Sequence, residues 1–135
     1  MNPKIAGYWA ATGLFVFTLG ASGVMDLVLP PMMSEAMHHL GYPEYVARLL
    51  GVWKLLGVAA LVVPGTRRLK EWAYAGFFFD LSGAVVSHLV SGDGLGGAGA
   101  PLALLVLGAA SWALVDARSG AWAPGAGSVT PAVAG

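Results

Sequence analysis

The sequence predicts an all-α, polytopic membrane protein: a bundle of four transmembrane helices, with a short interfacial amphipathic helix between the first and the second. Of the 135 residues, 57% are hydrophobic and only 10% are charged, whereas about 25% are charged in an ordinary soluble domain. The mean hydropathy is +0.72, and a soluble domain of this size has too little interior to bury so much apolar surface. Four apolar stretches also approach or exceed the roughly 20 residues needed to cross a bilayer.

The first predicted span covers residues 5–29 and ends at Pro30 and Pro31. A cleaved signal peptide is the alternative for this stretch, but the apolar run is longer than the 7–15 residues of a signal peptide's hydrophobic region. The segment 31–40 then predicts a short amphipathic helix, with three methionines on its apolar face. It is too short to span the bilayer, so we expect it at the membrane surface.

The remaining spans are predicted over residues 45–63, 69–90 and 101–117. A flexible glycine-rich connection, 91–100, precedes the last of them. Together with the first span they form one predicted domain, 1–117. The tail 118–135 is rich in Gly, Ala and Pro without periodicity and is predicted to be disordered.

The basic residues predict the orientation. Lys4, the Arg67–Lys70 cluster and Arg118 all flank one side, while the connections 30–44 and 91–100 contain no Lys or Arg. The positive-inside rule therefore places both termini in the cytoplasm.

Four charged side chains and one histidine lie within the predicted spans beyond the cytoplasmic edge, where a charge costs about 2.5–3.5 kcal/mol. Counting along the helices puts Lys54 about 14 Å from the outside and Asp80 about 16 Å from the inside, so these two are expected to pair near the midplane. The other three are expected together in the outer third. They are Asp26, Arg48 and His88.

Small residues recur at spacings of three and four beside these charges and predict which helix faces meet. Each such face includes a titratable residue, so the charges should point into the bundle. The functional interpretation is a polar pocket for a small ligand. The alternative is a buried ion pair that only sets the register between helices. The predicted faces are Gly13, Gly20, Gly23 and Asp26; Gly51, Lys54 and Gly57; and Ala73, Gly76, Asp80, Gly83 or Ala84, and Ser87.

Composition argues against several functions. The formal net charge is zero, so nucleic-acid binding is not supported. Cysteine is absent, which excludes disulfides, iron–sulfur ligation and Cys-based zinc sites. The adjacent His38 and His39 diverge by about 100° on a helix, and a metal or haem site pairing one of them with His88 has no supporting spacing. No phosphate loop or nucleophile motif is present, so a non-catalytic role is favoured.

Several segments, taken in order, resemble the DoxX-like family of small four-helix bacterial membrane proteins. They are Ala21–Asp26, His39–Pro43, Gly51–Gly57 and Leu69–Ala84, followed by His88. The family takes its name from a subunit of a thiosulfate:quinone oxidoreductase. The resemblance therefore implies a multi-pass protein of the bacterial inner membrane and a quinone-linked role, with quinone as the candidate cofactor.

Together these observations predict an accessory membrane subunit that binds a quinone or a lipid-like molecule. Its expected partners are the lipid bilayer and either further copies of itself or a membrane redox complex. A structural protein without a ligand and an oligomeric transporter or pore are the alternatives. The candidate ligand-binding residues are Asp26, Arg48, Trp53, Lys54, Asp80, Ser87 and His88.

Overall fold

The computed structural model describes residues 2–64 and 67–119, and over these ranges the chain forms five helices and no strand. Four of the helices are long and apolar enough to cross a membrane. The predicted all-α membrane bundle is thereby confirmed. The helices are α1 (Pro3–Val28), α2 (Pro31–His39), α3 (Glu44–Val62), α4 (Arg67–Val90) and α5 (Gly94–Ser119).

Local signals explain where α1 and α2 begin and end. The Asn2 side chain caps α1 by accepting a hydrogen bond from the backbone N–H of Lys4. Leu29 ends α1 in the left-handed conformation, with φ 50°. Pro30 follows, and it cannot continue a helix because it lacks an N–H. After α2, Gly41 adopts φ +81° and turns the chain towards α3.

Helix α5 begins at Gly94, so the prediction of a flexible connection up to residue 100 was wrong. Gly97 serves close packing here, because a Cβ on it would lie 2.6 Å from Nδ1 of His88. Ala98 is buried beside it. Pro101 consequently lies inside the helix and not at its start, as membrane helices tolerate when neighbouring groups compensate. The predicted disordered tail starts within α5, which continues to Ser119, and its residues 120–135 lie outside the described residues.

The four long helices form a closed ring in which α1 packs against α3 and α5, and α4 packs against the same two helices. Helix α2 lies against α3. An aromatic cluster fills part of the interior: the Phe15 ring stacks on Tyr74 at 6.3 Å between centroids and meets Phe77 edge-on at 5.5 Å. Buried leucines complete this core. They are Leu19, Leu61 and Leu81.

A buried chain of hydroxyl groups ties three helices together beside this core. The Ser111 hydroxyl on α5 lies 2.6 Å from that of Thr12 on α1 and 2.8 Å from that of Tyr74 on α4. Ser111 has no solvent exposure. Because each hydroxyl has a partner, this polar group is tolerated in an apolar interior.

Close helix contacts occur at some of the predicted small residues. Helices α1 and α3 touch where a Cβ on Gly51 would lie 2.7 Å from the carbonyl oxygen of Gly23. Helices α3 and α4 touch where a Cβ on Gly57 would lie 2.6 Å from the Phe77 ring. The prediction was wrong for the other glycines of these faces, which have open space where a Cβ would be. They are Gly13, Gly20, Gly76 and Gly83.

Candidate functional site

The Lys54 ammonium group lies between two carboxylates inside the bundle. Its Nζ is 2.7 Å from Oδ2 of Asp26 and 3.7 Å from Oδ2 of Asp80. A third contact, 3.2 Å long, runs from Nζ to the Ser22 hydroxyl. The three charged side chains are between 8% and 15% exposed. The predicted contact between Lys54 and Asp80 is therefore present, but Asp26 is the closer partner.

The Gly23–Gly51 contact explains why Asp26 does not lie in a separate outer layer. It brings the two helix backbones so close that a Cβ on Gly23 would lie 3.1 Å from Cβ of Lys54. The Lys54 backbone is thus level with Gly23, and Asp26 follows Gly23 by three residues, about 4.5 Å along the helix. The Lys54 side chain reaches along this distance to the Asp26 carboxylate. Sequence counting from the helix ends could not reveal this register.

A cavity of about 590 Å³ begins at this charged cluster and continues beneath α2. This volume is typical of small-molecule sites, which usually measure about 300–1,000 Å³. Its walls are largely apolar. They include Met33, Met37, Leu40, Phe79, Leu81 and Leu104. The polar lining consists of Ser22, Asp26, Tyr42, Lys54, Asp80, Ser87 and His88.

Five of the seven candidate ligand-binding residues therefore line one cavity: Asp26, Lys54, Asp80, Ser87 and His88. The other two lie elsewhere. Arg48 is on the exposed side of α3, and the Trp53 side chain is 63% exposed. Neither residue lines the cavity, so we leave both out of the proposed site.

Polar contacts hold α2 and the chain after it over the cavity. The Tyr42 hydroxyl is 2.7 Å from the Ser87 hydroxyl on α4. The Asp93 carboxylate bridges two imidazoles, with Nε2 of His39 at 2.6 Å and Nδ1 of His88 at 2.7 Å. Asp93 is the single charged residue of a glycine-rich connection. That contrast was the available sequence signal for Asp93, which was not among the predicted ligand-binding residues.

The bridge affects the titration of Asp93. The hydrogen bond from His88, then that from His39, lowers the pKa of the carboxyl group below its ordinary value of 3.8. A carboxyl group whose pKa is lower in the folded state stabilises that state fully at pH above its unfolded value. This contribution is lost as the pH falls below 3.8 and through the folded pKa, because the protonated carboxyl group no longer binds the imidazoles as a carboxylate.

The polar side chains of the site are both charged and neutral. Among the residues that the structure describes, no group of three or more His, Asp or Glu side chains could hold a metal ion. The charged cluster, in contrast, offers both hydrogen-bond donors and acceptors to a molecule in the cavity. When ionised it comprises two negative charges and one positive charge, a net charge of −1. An excess charge in a poorly solvated site is costly.

Comparison with known proteins identifies the family. A search of curated proteins and a search of solved structures found no match. The model of the DoxX-like family matches residues 10–111, a range that includes all four long helices at least in part and every polar residue that lines the cavity. This chain belongs to the DoxX-like family.

Proposed function

We propose that this protein is an accessory membrane subunit that holds the polar head of a small amphipathic molecule, with quinone as the first candidate, in the cavity above Lys54. One observation carries the proposal: the charged cluster faces a cavity instead of being enclosed by packed side chains. A pair that served only to set helix register would need no such space.

The hydrogen-bond geometry of Lys54 supports a ligand oxygen as the missing partner. An ammonium group has three N–H donors. Two reach Asp26 and Ser22 at 2.7 and 3.2 Å. Asp80 lies at 3.7 Å, which is beyond ordinary hydrogen-bond range. The third donor can therefore be given to a carbonyl oxygen in the cavity.

The rest of the cavity suits an aromatic or polyprenyl molecule. The Ser87 and Tyr42 hydroxyls provide further polar contacts in the lining. Between them and the cluster the walls are leucine, methionine and phenylalanine side chains. A few placed polar groups in a mostly apolar cavity are the usual composition of a site for a small organic ligand.

Binding of a short-chain ubiquinone to the purified protein in mild detergent, measured by isothermal titration calorimetry, tests the proposal. Lys54→Met should weaken binding at least tenfold, since a hydrogen bond to a charged group contributes about 1.5–3 kcal/mol. Arg48→Met is the matched control: it removes one positive charge from the same helix outside the cavity and should leave binding unchanged. Equal binding by both variants would contradict the proposal.

The same titration separates this function from the structural alternative. If the cluster only sets register, the wild-type protein should bind no quinone, and Lys54→Met should change thermal stability alone. If it binds a ligand, a fold-preserving change in the cavity wall should also weaken binding. Ala84→Leu is such a change, because Ala84 lines the cavity.

We further propose a location in the bacterial inner membrane with both termini in the cytoplasm. The positive-inside rule supports this orientation because Arg67, Arg68 and Lys70 lie at the opposite end of α4 from His88. A reporter fused to the C-terminus of the full-length protein should give a cytoplasmic signal. A reporter fused at Gly92 should give an external signal. A cytoplasmic signal at Gly92 would contradict the proposed orientation.

A further inference from the structure

A second depression lies on the outside of the bundle, between α4 and α5, and adjoins the cavity at Lys54 through the shared residues Phe79 and Leu81. It has a volume of about 660 Å³ and is almost entirely apolar. It extends along α4 from Glu71 to Leu81. The ten steps between these two residues correspond to about 15 Å of helix, which is half the thickness of a hydrocarbon core of about 30 Å.

Rigid groups form the floor of this groove and large side chains form its rims. The floor includes Phe15, which is 1% exposed and is held by its ring contacts with Tyr74 and Phe77. Ala75 and Ala109 are too small to fill the space above it. The rims include Phe78 and Trp112, more than half exposed. The floor of the groove is therefore held in place by these ring contacts.

The groove continues at one end into a smaller, charged depression. This second space, of about 270 Å³, is lined by Arg67 and Lys70. The two depressions share Glu71, Tyr74 and Trp112 in their linings. Among the described residues of this lining, Arg67 and Lys70 are the basic ones and Glu71 is the acidic one.

The charged end can recognise an anion. Lys70 donates to the carbonyl oxygen of Leu61 at 2.6 Å, which uses one of its three donors and holds the ammonium group at the mouth of the groove. Arg67 pairs with Glu71 at 3.0 Å, and this contact fixes the guanidinium beside it. Trp112 lies at the junction between the charged and apolar parts, as tryptophan commonly does at the boundary between headgroups and acyl chains.

We infer that this groove binds one anionic phospholipid, with its phosphate at Arg67 and Lys70 and one acyl chain along α4 and α5 as far as Leu81. The basic residues at one end match a lipid phosphate, and the length of the groove matches one leaflet of the bilayer. Both features favour a phospholipid over a second copy of the chain. A soluble phosphate compound would leave the apolar part unfilled. Anionic lipids and basic residues also concentrate on the same membrane face.

Native mass spectrometry tests the inference on the full chain in mild detergent, with phosphatidylglycerol and phosphatidylcholine of identical acyl chains supplied in equal amounts. Wild-type protein should retain one phosphatidylglycerol in preference to phosphatidylcholine. Arg67→Gln and Lys70→Gln should each lower that preference about fivefold, the usual effect of one basic residue near a membrane surface. Arg68→Gln is the matched control, since Arg68 is exposed and outside the lining.

The apolar part is tested separately. Ala109→Trp fills the groove and should reduce retention of both lipids, whereas Ala110→Trp places the same ring on an exposed neighbouring position outside the lining and should not. Equal retention of the two lipids, an Arg68→Gln effect as large as that of Arg67→Gln, or unchanged retention in Ala109→Trp would each overturn the inference. So would a wild-type dimer that Ala109→Trp converts to a monomer, because it would assign the groove to a second copy.

Discussion

Replacing Lys54 by Met should be the most destabilising single change in the charged cluster. It leaves the carboxylates of Asp26 and Asp80, 8% and 15% exposed, without their shared counter-charge. Breaking a buried ion pair by removing one partner costs about 3–5 kcal/mol, and here two carboxylates lose the same partner. We expect a loss of that size in the free energy of unfolding.

The two aspartates should differ, because their distances to Lys54 differ. Asp26→Asn removes a charge-assisted hydrogen bond of 2.7 Å and should cost about 1.5–3 kcal/mol. Either substitution relieves the excess negative charge, but Asp80→Asn removes only a contact of 3.7 Å. It should therefore cost less than about 1 kcal/mol, since a matched pair of opposite charges remains.

Unfolding by sodium dodecyl sulfate from mixed micelles, followed by circular dichroism, measures these differences. The triple variant Asp26→Asn, Lys54→Met, Asp80→Asn should recover most of the stability lost in Lys54→Met alone, because no uncompensated charge remains. Arg48→Met is the exposed control and should change stability by no more than about 0.5 kcal/mol. The reasoning is refuted if Asp80→Asn costs as much as Asp26→Asn, or if the triple variant is as unstable as Lys54→Met.

Three further changes test other parts of the structure. Asp93→Asn should reduce the loss of thermal stability expected as the pH falls below 3.8, since protonation of the bridging carboxylate contributes to that loss. Unchanged acid sensitivity would contradict this role of Asp93. Ser111→Ala should destabilise by about 1–3 kcal/mol by leaving two buried hydroxyls without their shared partner, as chemical unfolding would show. Gly51→Ala should lower the melting temperature because its Cβ would lie 2.7 Å from a carbonyl oxygen of α1, whereas Gly20→Ala, with nothing within 4 Å, should not. Equal effects of the two glycine changes would argue against the close helix contact.

Sequence patterns alone determined the membrane class and the number of long helices. Apolar stretches of transmembrane length can be recognised because the bilayer imposes a minimum on any spanning helix. The proline pair after α1 and the glycine after α2 marked helix ends because proline removes a donor and glycine accepts positive φ. The contact between Lys54 and Asp80 was also foreseeable, since unpaired charges are costly at that depth.

Only the tertiary structure decided which residues share a cavity. The close contact of Gly23 with Gly51 fixes how far α1 slides along α3, and that register brings Asp26 to Lys54. Packing of Gly97 against His88 likewise extends α5 through a segment whose composition resembled a flexible loop. Sequence periodicity shows which face of a helix is apolar or small, but it contains no measure of the axial offset between helices. That offset results from side-chain contacts between segments distant in sequence, and it determines whether neighbouring charges form one cluster or two.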